Sequence, residues 1–134
     1  MNKFFSTLVY GIIVFSTTAC AVPNDIIISE EYSESFKDSF NEVYAIGPNF
    51  NIVDYIFTYG CGGGAICANI YDSKSGLFVD FPDNYIADSE YSDFSLDFNR
   101  ASAKLCINGQ SAYDSKIYDD VCYEYKNREL LEIK

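Results

Sequence analysis

The sequence predicts an α+β fold that is mainly β: an antiparallel β-meander sheet with one N-terminal helix, stapled by two disulfides. Three observations carry this. Aromatic residues recur at every fourth position from Tyr32 to Tyr44, the stripe of one helix face. Downstream come short runs rich in β-branched and aromatic residues, divided by Gly, Asn, Asp and Pro. Four cysteines remain once an export leader is removed, an even count that reads as a disulfide framework.

The leader is residues 1–21. Lys3 precedes an uncharged run centred on Leu8, Val9, Ile12, Ile13, Val14 and Phe15, and small residues end in Ala19-Cys20-Ala21. That is the plan of a secretory signal peptide cleaved before Val22. Its apolar centre is shorter than the roughly 20 residues a membrane span needs. A second reading cleaves after Ala19 and lipidates Cys20, although Thr17 and Thr18 lack the apolar residue usual before such a cysteine. Residues 22–134 then form a single disulfide-bridged β-rich domain, long enough for a modest core.

The helix spans Ser29–Tyr44 (SEEYSESFKDSFNEVY). Ser29 serves as its cap, Glu30 and Glu31 sit in the first turn, and Tyr32, Phe36, Phe40 and Tyr44 form its core face. Gly47-Pro48-Asn49 breaks the chain. Asn51–Tyr59 is a first strand, Ala65–Tyr71 a second, and Leu77–Phe81 a third that stops at Pro82. Asp72–Gly76 is the turn between the last two, and short connections make the three a meander. Phe94–Phe98 alternates as a half-buried strand. Ala103–Ile107 runs into Asn108-Gly109, the strongest short hairpin signal in the chain. Val121–Tyr125, the pair Asn127-Arg128 and Leu130–Ile133 read as a last hairpin.

Cys61 and Cys67 bracket Gly62, Gly63 and Gly64; Cys106 and Cys122 lie further on. A catalytic cysteine normally needs a base, and the chain has no histidine, which removes Cys-His and Ser-His-Asp chemistry. Structural zinc pairs sit closer together than these cysteines do, so no metal or cofactor is expected. Four cysteines allow three pairings. Cys61–Cys67 with Cys106–Cys122 is preferred because each brackets a short segment, and the three glycines suit a bridged loop that needs positive φ.

Nine cations face twenty acids; without Lys3 the mature chain carries eight against twenty, a net charge of −12. Such a chain is repelled by nucleic acid and anionic lipid, so a membrane enters only through a lipidated Cys20, and a basic protein is the partner it suits. Between Asp80 and Asp97 stand Asp80, Asp83, Asp88, Glu90, Asp93 and Asp97, with no cation among them. Their spacing does not fit an EF-hand loop. They read as a solvated acidic face or, more sharply, as a docking face in which Asp80, Asp83, Asp88, Glu90 and Asp93 meet a cationic partner.

The segment Pro48–Gly76 resembles a family of small exported bacterial proteins of uncharacterised activity. Its members carry a P-x-F-x-G-x-Y strand, an aromatic-Gly-Cys-Gly loop with a second cysteine, and a strand closing on D-x-K-T-G. The matching elements are Pro48, Phe50, Tyr55, Tyr59-Gly60-Cys61-Gly62, Cys67 and Asp72-Ser73-Lys74-Ser75-Gly76, and the ending Tyr123-Glu124-Tyr125 before Asn127 and Leu130 is similar. Tyr59 stands where tryptophan is common, the second cysteine comes later, and Ser75 replaces threonine. The resemblance implies export, the meander and the Cys61–Cys67 bridge, and brings no activity.

The functional expectation is a non-enzymatic binding or inhibitory module, secreted or periplasmic in a Gram-negative envelope. Its sharpest form is an immunity-type protein that neutralises a basic toxin or cell-wall hydrolase. The alternatives are a lipid-anchored structural envelope protein and a glycan hydrolase run by paired carboxylates.

Overall fold

A computed structural model describes residues 29–134. The leader, its cleavage point before Val22 and Cys20 lie outside the described residues. The described chain is mainly β with one helix, all strand pairs are antiparallel, and both disulfides, Cys61–Cys67 and Cys106–Cys122, are formed.

Helix α1 is Glu34–Ile46. It starts one turn later than the sequence suggests, because Ser33 rather than Ser29 is the cap: Ser33 Oγ accepts the Phe36 amide at 3.2 Å. Ser29 instead closes a separate turn with Tyr32, which lets Tyr32 stack on Phe36 with ring centroids 4.1 Å apart. Gly47 ends the helix at φ 116, its amide bonded to the Val43 carbonyl.

The strands divide into two sheets. The first holds β1 (Tyr55–Gly62), β2 (Ala65–Asp72) and β3 (Leu77–Asp80) in that order, with the short β4 (Tyr85–Ile86) pairing the start of β2. The second is the meander β5 (Ser95–Phe98), β6 (Lys104–Gln110), β7 (Ile117–Lys126) and β8 (Glu129–Glu132).

The layering follows from side-chain alternation in β1 and β2. Ile56, Ala68 and Ile70 turn to one side and join Leu105, Ile107, Tyr118, Tyr123 and Tyr125 of the second sheet in one buried cluster. Tyr55, Phe57 and Tyr71 turn to the other side, against Phe36 and Phe40 of α1. The first sheet is therefore the middle of three layers. That is why the buried parts of β1 and β2, YIF and AICANIY, read as near-continuous apolar runs.

Strand boundaries move as well, β7 beginning at Ile117 rather than Val121. β1 begins at Tyr55, not Asn51, because Asn51 and Ile52 sit at φ 43 and 72 in a tight turn where Asp54 and Phe50 exchange backbone bonds. The hairpin expected at Asn108-Gly109 does not turn there: β6 runs through to Gln110 with a bulge at this pair, and the reversal falls in 111–116. Gly109, at φ 148, lies against Phe94 and Tyr85, so its bare Cα serves close packing between strands rather than a turn.

Candidate functional site

The acids singled out above separate into two groups. Asp80, at the end of β3, and Asp83, just after it, line a polar cleft of about 370 Å³ with Asn69, Asn84, Tyr59 and Tyr113. Asp88, Glu90 and Asp93 do not line it. They stand exposed on the connection from β4 to β5, which Ser89 fastens by donating to Gln110 Oε1 at 2.6 Å. Asp97 is also exposed and borders a different depression beside Lys104.

The cleft is wired from its wall outward. The Tyr59 hydroxyl donates to Asn69 Oδ1 at 3.1 Å, and Asn69 Nδ2 donates to Asp80 Oδ1 at 2.7 Å. Asp83 accepts its neighbour's amide from Asn84 and the Tyr118 hydroxyl at 3.2 Å. Asn84 Nδ2 donates to the hydroxyl of Tyr113, a ring that is 77% exposed. Burial raises the Tyr59 phenol, and the Asp80 charge raises it further. Burial likewise raises Tyr118, reinforced by Asp83. Both phenols thus remain donors at neutral pH. Among the described residues one salt bridge forms, Lys37 with Glu34 on α1, so neither cleft carboxylate has a cation within bonding reach.

Sequence reasoning missed a second pair of carboxylates, and these are buried. Asp54 Oδ1 accepts the Ser73 amide at 2.9 Å and its Oδ2 accepts Asn51 Nδ2 at 2.8 Å. Asp72 Oδ1 accepts the Ser75 amide at 2.8 Å, and its Oδ2 accepts the Tyr125 hydroxyl at 2.7 Å, a bond that joins the two sheets. Burial alone would raise the Asp72 carboxyl, but the hydrogen bonds from Tyr125, Ser75 and Lys74 outweigh it and hold it below the usual carboxylate range. For Asp72 the signal was its place at the head of D-S-K-S-G, where side chains commonly accept local amides; Asp54, within the expected first strand, gave none.

A wider cleft of about 540 Å³ lies between α1, β1 and β5, walled chiefly by apolar side chains, with Glu42 its one charged group. The four described cysteines are all bridged. The sulfurs of Cys106 and Cys122 lie within 4.8 Å of an Asp120 carboxylate oxygen, but they are bonded to each other and present no thiolate to a metal. Comparison with protein-family models, with curated proteins and with solved structures gives no match.

Proposed function

We propose that the mature chain is a small exported binding module of the bacterial envelope, periplasmic or secreted, that captures and blocks a basic protein in the manner of an immunity protein against a cationic toxin or wall hydrolase. The observation that carries this reading is the cleft of Asp80 and Asp83: two carboxylates, held in place by Asn69, Asn84 and Tyr118, with no cation of their own fold to neutralise them. Exposed Tyr113 beside the cleft and Tyr91 on the acidic connection, each 77% exposed, supply the aromatic contact area that protein interfaces favour. Exposed Asp88, Glu90 and Asp93 extend the negative field and would steer a cationic partner inward. Two disulfides and the absence of a membrane-spanning helix among the described residues are compatible with this location.

The experiment is capture of basic envelope hydrolases and toxins on immobilised, oxidised protein at low and at high salt. Binding that falls steeply with salt, and weakens about tenfold or more in Asp80→Asn/Asp83→Asn, is expected, since truncating charged interface pairs costs about 2 kcal/mol or more. No bound basic protein at low salt, or retention unchanged by the double variant, overturns the reading.

A further inference from the structure

The opposite charge gathers at one other place. Eight Lys and Arg residues fall within 29–134, and three of them, Lys74, Lys126 and Arg128, line a single cavity of about 300 Å³ between the β2–β3 turn and the β7–β8 turn. None of the three makes a salt bridge among the described residues. In a chain of net −11 these three cations outnumber the two carboxylates, Asp54 and Asp72, that line the same cavity. Asp54, Asp72 and Tyr125 line it too: Tyr125 donates to Asp72, and the two carboxylates accept the Ser75 and Ser73 amides.

The backbone around this cavity places non-glycine residues in the left-handed region. Asn127 and Arg128 form the two central positions of the β7–β8 hairpin at φ 52 and 63. A two-residue turn with both φ positive favours Asn-Gly, and the first position obeys this. The second is Arg, a long side chain in the left-handed region that glycine fills without cost. Asn51, on the facing wall, also has positive φ. Of six non-glycine residues with positive φ, three border this one cavity, and such strain clusters where a side chain is held for a task.

From this we infer that the cavity is a binding site for a small oxyanion, a carboxylate or phosphate group, gripped by Arg128 with Lys126 and Lys74. Arginine's planar fork accepts two oxygens of such a group at once. The spare lone pairs of Asp54 and Asp72 lie behind it and suit hydroxyl groups carried by the same molecule. The site uses none of the residues of the acidic cleft and stands or falls independently of the reading above.

The competing explanation is that the three cations merely balance buried Asp54 and Asp72. The test separates the two. Inorganic phosphate, D-glucuronate and neutral D-glucose are titrated at constant ionic strength into the oxidised protein, with amide shifts of Lys74, Ser75, Asn127 and Arg128 followed by NMR. Saturable shifts with phosphate, with glucuronate or with both are expected, and which anion binds tells phosphate from carboxylate. Arg128→Gly should weaken binding about tenfold, the worth of one charge-assisted contact, while raising Tm by a few degrees because glycine relieves the turn. Lys126→Gln, which leaves the turn intact, should weaken binding without moving Tm. The inference fails if neither anion gives a saturable shift, if glucose shifts the same amides equally, or if both variants bind as the parent does. A lowered Tm in Arg128→Gly also overturns it, since that marks Arg128 as a counter-ion of the fold.

Discussion

Tyr125→Phe tests the joint between the two sheets. The Tyr125 ring is 6% exposed and Asp72 8% exposed, and the hydroxyl donates to Asp72 Oδ2 at 2.7 Å. Phenylalanine keeps the ring against Phe50, at 5.9 Å between centroids, so packing survives and one charge-assisted hydrogen bond is removed. Hydrogen bonds to charged groups contribute about 1.5–3 kcal/mol, and a carboxylate oxygen left dry in the interior holds the loss near the middle of that range, ~2 kcal/mol. For a domain of this size each kcal/mol moves Tm by roughly 4–8 °C, so a fall of about 10 °C is expected at pH 7. The loss also has a pH signature. The Asp72 carboxyl is depressed in the folded state, so the stability it confers is whole above the ordinary carboxylate range and fades as pH falls through its folded value. Parent and variant should therefore converge as the pH drops below about 4. Urea titrations at pH 7 and at the acid end measure both. A difference below about 0.5 kcal/mol at pH 7, or one that stays constant into acid, would refute the claim that this bond holds a buried charge.

Replacing Cys106 and Cys122 together by alanine should cost about 3 kcal/mol, against about 2.4 kcal/mol for Cys61 and Cys67, because the loop closed is longer; guanidinium titrations of the two double variants give the order, and its reversal would count against the chain-entropy account. Gly109→Ala places a methyl 3.3 Å from Phe94 at φ 148, so a loss of roughly 1–3 kcal/mol is expected on thermal unfolding. Phe40→Ala, in a side chain 1% exposed among Phe57, Tyr71 and Phe78, should cost about 3–5 kcal/mol and detach α1 first, seen as early loss of helical circular dichroism.

Where local chemistry decides the structure, the sequence shows it. The Phe36, Phe40 and Tyr44 part of the aromatic stripe, the glycine turn between Cys61 and Cys67, and the Asn127-Arg128 reversal are each fixed within a few residues and fall where their residues indicate, whereas Tyr32 lies outside α1 and is exposed. Asn108-Gly109 misleads because a tertiary contact prevails over a local preference: Phe94 and Tyr85 need the space that glycine leaves, and the strand continues through it. The same limit hides the division into two sheets. Nothing local distinguishes Ile56, which faces the second sheet, from Phe57, which faces the helix. Of the acidic run, Asp80 and Asp83 meet in one cleft because β3 ends beside Asn69, a partnership eleven residues apart that no spacing rule announces. Asp72 looks like an ordinary turn residue until Tyr125 arrives from the far end of the chain, and Asp54, read within the first strand, until the Ser73 amide nineteen residues on meets it.

Each sulfur bridge closes within a single sheet, Cys61 with Cys67 and Cys106 with Cys122, neighbours in order among the described cysteines. On the proposed export reading, a polypeptide emerging N-terminus first presents Cys61 and Cys67 to an oxidant before either later thiol, and joining neighbours in order of emergence gives the observed pairs. Among the described residues no disulfide joins one sheet to the other, so their adhesion rests on the shared apolar cluster and on bonds such as that of Tyr125 to Asp72.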